Sequence, residues 1–142
     1  MRYLFDVNFL IAILIGSHSH YQRAHDWWRD HAGNGWASCP ITENGFVRIV
    51  SQPSFAAPLL VAEGIELLKG AKSDTDNAFW NDDISIVDDT IFDTDYLLKS
   101  NQITDAYLLA LAIKNKGKLV TFDRSLGRRA AIGDVSRHLV TL

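Results

Sequence analysis

Residues 2–15 read RYLFDVNFLIAILI, and this stretch decides the fold class. Its first four residues have the pattern of a short buried strand that ends at Asp6. Residues 7–15 are apolar and predict a helix, which Gly16 and the polar sequence SHSH bring to an end. The N-terminus therefore predicts a buried strand that passes directly into a helix.

The rest of the chain continues this alternation of strand and helix patterns. Helices are predicted over 21–31, 40–51, 59–68 and 104–116, and strands over 36–39, 84–87, 118–122 and 138–142, with a further short strand at 78–80. Such alternation implies right-handed crossovers and a mostly parallel sheet with helices on both faces. Because the chain has 142 residues and no repeat or low-complexity linker, we expect one α/β domain over 1–142.

Composition places the chain among ordinary globular proteins. Its apolar fraction of 47% and charged fraction of 22% allow a buried core. The single cysteine, Cys39, excludes an intrachain disulfide and favours a reducing compartment. Asp6 and Asn8 lie just before the apolar run at 9–16, which argues against a signal peptide, and this run is too short to span a bilayer. We therefore expect a cytoplasmic protein without a membrane segment.

The charge is unevenly distributed, although the net charge is only −3. Residues 74–95 carry eight Asp and no Lys or Arg, which we interpret as a solvated loop and strand boundary. Residues 114–138 carry seven Lys or Arg against two Asp, a local balance of +5. This basic quarter contains Arg124, Arg128 and Arg129, and it could either attract a polyanion or form an ordinary solvated surface.

Four acidic residues stand where a strand pattern gives way to a loop or a helix. They are Asp6 in YLFDVNFLIA, Glu43 in CPITENGF, Asp105 in ITDAYLLALA and Asp123 in LVTFDRSL. An open parallel sheet gathers such positions at one edge, outside the carboxyl ends of its strands. Carboxylates gathered there repel one another, and a divalent cation is the usual reason to assemble them.

Each of the four also has an ordinary structural explanation. Asp6 is suited to cap the helix that follows it. Asp105 and Glu43 stand near helix N-termini, where the macrodipole favours a negative charge by about 0.3–1 kcal/mol, and Asp123 is a normal turn residue after a strand. The coincidence of all four at the same kind of position favours a site. The two explanations are compatible, because a helix N-terminus also helps a carboxylate to stay ionised.

The residue types indicate which cation and which chemistry. Scattered Asp and Glu supply only oxygen ligands, which suit Mg²⁺ or Mn²⁺ and not Zn²⁺. Such ions can activate water and stabilise charge on a phosphate, so the pattern favours a hydrolase that acts on a phosphodiester. Asn8 could hold a ligating oxygen or a water molecule, and the Thr121 hydroxyl could orient a carboxylate. The sequence has no Walker loop, dinucleotide fingerprint, His-Glu-x-x-His motif or EF-hand loop.

Taken together, these segments resemble the PIN-domain ribonucleases, specifically the VapC-type toxins of bacterial toxin–antitoxin modules. The matching segments are LFDVNFLIAIL, HDWW, GWASCPITENGFVRIVSQP, FWNDD, QITDAYLLALA and LVTFDRSL, which follow the family's order over nearly the whole chain. The resemblance implies a three-layer α/β/α sandwich with a mostly parallel central sheet. It also implies a homodimer, a cognate antitoxin and endoribonuclease activity that depends on Mg²⁺ or Mn²⁺.

The family's acidic positions map onto the same four residues. The resemblance implies that three of them bind the metal ion: Asp6, Asp105 and Asp123. Glu43 would be a further ligand or the group that positions the attacking water. Some PIN domains carry another acidic residue shortly after the last Asp, where this chain reads RSLGRR, so a second metal site would be short of ligands and catalysis with one metal ion is open. Asn8 and Thr121 match common supporting positions.

Other readings compete with this one. A PIN-like fold can serve as a non-catalytic binding module that only contacts RNA or the antitoxin, although a scaffold has no use for the repulsion of four carboxylates. A phosphoacceptor receiver domain has a similar length, but it needs adjacent acidic residues after the first strand, where this sequence has Asp-Val-Asn.

We interpret the histidines at 18, 20 and 25 as surface residues. The four tryptophans are expected in the core or in a dimer interface.

Overall fold

The computed structural model describes residues 1–97, 99–124 and 130–142, and its centre is one parallel sheet. The strands are β1 (Tyr3–Phe5), β2 (Trp36–Ser38), β3 (Asn77–Phe79), β4 (Lys118–Thr121) and β5 (Leu139–Thr141). They are arranged in the order β3-β2-β1-β4-β5, and all four pairings are parallel. The predicted mostly parallel sheet is confirmed, and the C-terminal strand β5 lies at one edge.

The described part of the chain contains six α-helices, which connect these strands. They are α1 (Val7–Leu14), α2 (Tyr21–His31), α3 (Pro40–Val50), α4 (Val61–Asp74), α5 (Ile103–Lys114) and α6 (Val135–His138). Short 3₁₀ turns occur at Ala32–Asn34, Thr94–Tyr96 and Ser100–Gln102. None of the described helices is long and apolar enough to cross a membrane.

Alternate residues of the central strand point into two separate cores. Tyr3 and Phe5 pack with α1, α2, α3 and Leu68 of α4. Leu4, between them in sequence, packs on the other face with α5 and with the segment around Phe92. A parallel sheet covered on both faces buries successive side chains in this way. The α/β/α sandwich with three layers is therefore confirmed, with α1–α4 on one face and α5 and α6 on the other.

Two element predictions are wrong. The helix expected at 59–68 instead runs over Val61–Asp74, because Leu68 and Ala71 continue its contact with the core and Gly70 is accommodated inside it. The strand expected at 84–87 does not form, and Val87 is 85% exposed there. The sheet position next to β2 is filled instead by β3, and the Trp80 N–H donates to the Ser38 carbonyl at 2.8 Å.

Candidate active site

Asp6 occupies the middle of the carboxyl edge, directly after β1. Its N–H donates to the Val120 carbonyl of β4 at 3.2 Å, which continues the pairing of the two strands. Its side chain caps α1, with Oδ1 accepting a hydrogen bond from the Phe9 N–H at 2.7 Å. Only 4% of Asp6 is exposed. The helix-cap explanation of this residue is therefore correct, and it fixes the carboxylate in a buried position at the edge of the sheet.

Thr121 links Asp6 to Asp123. It is the last residue of β4 and is completely buried. Its hydroxyl group stabilises the charged form of Asp6 and so lowers the pKa of that carboxyl group. Its Oγ1 also accepts a hydrogen bond from the Asp123 N–H at 3.0 Å. One buried hydroxyl group thus orients the first acidic residue and the turn that carries the last one.

Asp105 brings a third carboxylate from the other face of the sheet. It lies in the first turn of α5, and its carboxyl group is close enough to that of Asp123 for a hydrogen bond. Burial, followed by the charges of Asp6 and Asp123, raises the pKa of Asp105 to about 6. Burial also raises the pKa of Asp6 to about 6, although hydrogen bonds from Thr121 and Phe9 oppose this shift. Elements distant in sequence therefore hold three carboxyl groups where their full ionisation is unfavourable.

Glu43 lies outside this aspartate cluster, which we define as Asp6, Asp105 and Asp123. Its Oε2 accepts a hydrogen bond from the Ser38 hydroxyl at 2.6 Å and is 2.6 Å from Lys72 Nζ. The charge of Glu43 is not among the causes that shift the pKa of Asp6 or Asp105. The structure therefore divides the predicted quartet into three gathered aspartates and one glutamate paired with a lysine.

The chemistry of the aspartate cluster fits a hard divalent cation. A hydrogen bond between two carboxyl groups requires a proton on one of them, and a cation removes that requirement. In the described ranges, however, no three His, Cys, Asp or Glu side chains are arranged to hold a metal ion as they stand. The cluster thus matches Mg²⁺ or Mn²⁺ in ligand type and charge.

The other predicted residues have different positions. Asn8 is exposed at the second position of α1, two residues after Asp6. Arg124 is exposed and directly follows Asp123. Arg128 and Arg129 lie outside the described residues. Roles for these residues in RNA contact or metal support stay predictions.

The sequence reasoning missed the groups that surround Glu43. Ser38 ends β2, Asn77 begins β3, and the Asn77 side-chain amide donates to the Ser38 hydroxyl at 3.3 Å. Lys72 comes from the last turn of α4, in a part of the helix that the sequence did not predict. No local signal joins these residues, because they are 39 positions apart at the extremes and meet only through the order of the strands.

A second missed group adjoins Asp123. The ring of Phe122 stacks on the His20 ring, with centroids 4.7 Å apart, and the Arg23 guanidinium lies 5.7 Å from the Phe122 centroid. His20 and Arg23 are exposed. The surface interpretation of His20 is confirmed, and its contact shows that α2 supports the β4 end of the site. The aromatic spacing of the HDWW segment gave no indication of this contact.

Comparison with known proteins agrees with this fold. A family model described as PIN domain matches residues 3–132. The chain is 45% identical to "Ribonuclease VapC44" of Mycobacterium tuberculosis over 142 residues, which is the full length of both proteins. It is 38% identical to "Ribonuclease VapC39" of the same organism, over 94% of this chain and 96% of that protein. "Ribonuclease VapC38", also from that organism, is 39% identical over 84% of each chain.

These matches cover nearly all of the chain at identities well above those that indicate a shared fold alone. The protein therefore belongs to the PIN-domain family, within its VapC group.

Proposed function

We propose that this protein is the endoribonuclease toxin of a toxin–antitoxin pair and that it hydrolyses RNA with the aid of Mg²⁺ or Mn²⁺. The observation that carries the proposal is the aspartate cluster, where burial and mutual repulsion raise the pKa of Asp6 and of Asp105 to about 6. Such a concentration of negative charge is costly without a cation. VapC relatives named as ribonucleases, which match this chain over its full length or nearly so, support RNA as the substrate.

The chain's own residues would share the work as follows. Asp6, Asp105 and Asp123 would bind the ion, with Thr121 orienting two of them through its hydroxyl. Bound there, the ion would activate water and stabilise the negative charge that develops on the phosphate. Asn8, two residues after Asp6, would hold a water molecule at the entrance. Arg124 would contact an RNA phosphate next to the cleaved bond.

Glu43 would act on the water that attacks the phosphate, or as a further ligand. Glu43 Oε2 now lies 2.6 Å from Lys72 Nζ. In either role, the carboxylate must break this ion pair or contact the lysine and the water or metal ion together. Because the Ser38 hydroxyl holds the same oxygen, the carboxylate is oriented even before substrate arrives. The Glu43 carboxylate on α3 and the aspartate cluster would then lie on two sides of the bound phosphate.

The family also supports two partners as proposals. A cognate antitoxin would block the acidic site, in VapC relatives often with a basic side chain, and a second copy of this chain would complete a homodimer. The cytoplasm would be the place of action, since RNA is the proposed substrate.

The direct test uses purified protein free of antitoxin and a labelled single-stranded RNA. We expect cleavage in Mn²⁺ or Mg²⁺ and none in EDTA. Asp6→Asn should abolish cleavage while keeping the helix cap, since Asn caps helices as well as Asp does. Asp134→Asn is the matched control, because Asp134 is exposed, caps the short helix α6 and lies outside the cluster.

Two results would contradict the proposal. Full cleavage by Asp6→Asn would show that the aspartate cluster is not the active site. No cleavage of any RNA by the wild type, together with no Asp6-dependent binding of Mn²⁺ in calorimetry, would favour the non-catalytic binding module.

A further inference from the structure

A groove between α3 and α4 lies beside Glu43, on the β3 side of the sheet. Its volume is about 530 Å³, which is within the usual range of small-ligand sites. Its polar lining consists of Glu43, Asn44, Lys69, Lys72, Ser73 and Asn77, and its floor is apolar. Two lysines against one glutamate give this lining a net charge of +1. The groove therefore offers ammonium and amide donors next to a surface otherwise rich in carboxylates.

Phe79 adjoins this groove. Lys72 Nζ lies 4.8 Å from the centroid of its ring, so the lysine connects Phe79 to the groove and to Glu43. Phe79 is the last residue of β3 and is 50% exposed. A large aromatic side chain half in water, with an ammonium group against its ring, is the combination that proteins use to hold single-stranded nucleic acids.

The position of Phe79 relates this surface to the aspartate cluster. Phe79 is paired in register with Ser38, so its ring stands at the same carboxyl edge of the sheet as Asp6. The strand order places β3 two strands from β1, which is about 10 Å at a spacing of roughly 4.8 Å per strand. A single RNA strand that crosses this edge spans that distance with a few nucleotides.

We propose that Phe79, Lys69 and Lys72 form a subsite for single-stranded RNA, with a base stacked on Phe79 and the adjoining phosphates held by the two lysines. This inference rests on the proposed function, since it assigns part of the substrate to a surface beside the same site. It explains why Lys72 contacts both Glu43 and Phe79: one ammonium group would join the substrate contact to the group that acts on water. Backbone contacts and stacking are tolerant of sequence, so the subsite contributes affinity and not base selection.

The chief rival for this surface is a protein. Leu60 and Val61 at the start of α4 are 71% and 57% exposed, and Ile65 is 48% exposed, so an apolar partner could cover the helix. The RNA assignment is favoured because Phe79 lies against an ammonium group and because the groove next to it is lined by amides and lysines. Leu60, at the opposite end of α4 from Lys72, is therefore the matched control position.

The test measures binding in EDTA, where no divalent cation can support cleavage. The probe is a fluorescein-labelled 12-nucleotide single-stranded RNA of mixed sequence, followed by anisotropy at low salt. We expect Phe79→Leu, which keeps the apolar volume, to raise the Kd about tenfold, Phe79→Tyr to keep the wild-type Kd, and Leu60→Ala to leave it unchanged. Lys69→Met should weaken binding and reduce its salt dependence.

The outcomes separate this inference from the proposed activity. Wild-type binding that depends on Phe79, with no cleavage of any RNA in Mn²⁺ and no Asp6-dependent binding of Mn²⁺, would support the subsite and refute the nuclease. Cleavage in Mn²⁺ with an unchanged Kd for Phe79→Leu would support the nuclease and refute the subsite. The subsite is also overturned if the wild type does not bind the probe, or if Leu60→Ala weakens binding as much as Phe79→Leu does, since the apolar face of α4 would then be the contact.

Discussion

The aspartate cluster and Glu43 are two acidic regions at one edge of the same sheet, and they handle charge in opposite ways. In the cluster, burial and neighbouring carboxylates raise the pKa of Asp6 and of Asp105 to about 6. At Glu43, an ammonium group and a hydroxyl group each lie 2.6 Å from the same carboxylate oxygen. The first region holds carboxyl groups whose full ionisation is unfavourable, whereas the second pairs its carboxylate with a lysine of the chain.

The difference indicates which acidic residues respond to a divalent ion. A group that is already paired gains little from another positive charge, whereas carboxyl groups that repel one another gain more. We therefore expect the effects of substitutions, metal ions and pH to be concentrated in the cluster and to be weak at Glu43, unless RNA is present.

The largest contrast is expected in catalysis. Asp105→Asn removes a charge from the proposed metal site and should lower kcat for RNA cleavage about a hundredfold or more. Glu43→Gln should also lower kcat while leaving the dissociation constant for Mn²⁺ within about threefold of the wild type. Calorimetry with Mn²⁺ and single-turnover kinetics on the same preparations check both values. Equal losses of Mn²⁺ affinity in the two variants would show that the four carboxylates act as one site.

The next effect is on thermal stability in the presence of metal. An ion at 100 times its Kd stabilises the folded state by about 2.7 kcal/mol, which raises Tm by about 5–10 °C for a chain of this size. We expect this increase for the wild type in Mn²⁺ and its loss in Asp6→Asn. Scanning calorimetry with and without EDTA measures it. A rise of the same size in Asp6→Asn would place the ion elsewhere.

Without metal, the free energy of unfolding should depend on pH because the folded chain raises the pKa of Asp6. The pKa of Asp6 is about 6 in the folded chain and about 3.8 when unfolded, so the folded state binds more protons between these values and stability falls as pH rises through them. Asp6→Asn should therefore be more stable than the wild type at pH 7.5, by about 2–3 kcal/mol. Urea unfolding in EDTA at pH 4 and pH 7.5 tests this, and the difference should be much smaller at pH 4. A constant difference would assign it to packing.

The smallest effect concerns the ion pair between Glu43 and Lys72. Glu43 and Lys72 are both partly buried, with side-chain exposures of 21% and 28%, so their interaction should contribute about 1 kcal/mol. A double-mutant cycle with Glu43→Gln and Lys72→Met measures this coupling. The exposed pair Lys114–Asp83, 2.8 Å apart, provides the comparison and should show less. No coupling at Glu43 would mean that the Ser38 hydroxyl alone orients its carboxylate.

Much of the fold could be predicted from the sequence because its signals are local. The buried strand before Asp6, the proline that opens α3 and the apolar face of α5 each lie within one segment. The division of the acidic quartet could not be predicted in this way. It depends on Lys72, which reaches Glu43 only because α4 continues past Gly70 and packs beside α3.

The wrong strand prediction at 84–87 has a similar cause. Residues 84–87 are more hydrophobic than 77–79, and propensity alone favours them as the strand. The segment at 77–79 is selected by its neighbour, since β2 offers a free row of backbone groups to the first extended segment that leaves α4. At this position, tertiary contacts override the intrinsic strand propensity of the two segments.

The central position of β1 in the sheet has a consequence for folding of the chain during its synthesis on the ribosome. Tyr3 pairs with Lys118, and 112 residues lie between the two strands whose ends carry Asp6 and Asp123. A nascent chain that stops before β4 has emerged possesses Asp6, Glu43 and Asp105 but cannot complete the aspartate cluster. Until β4 has emerged from the ribosome, the proposed nuclease would therefore be inactive toward the RNA around it.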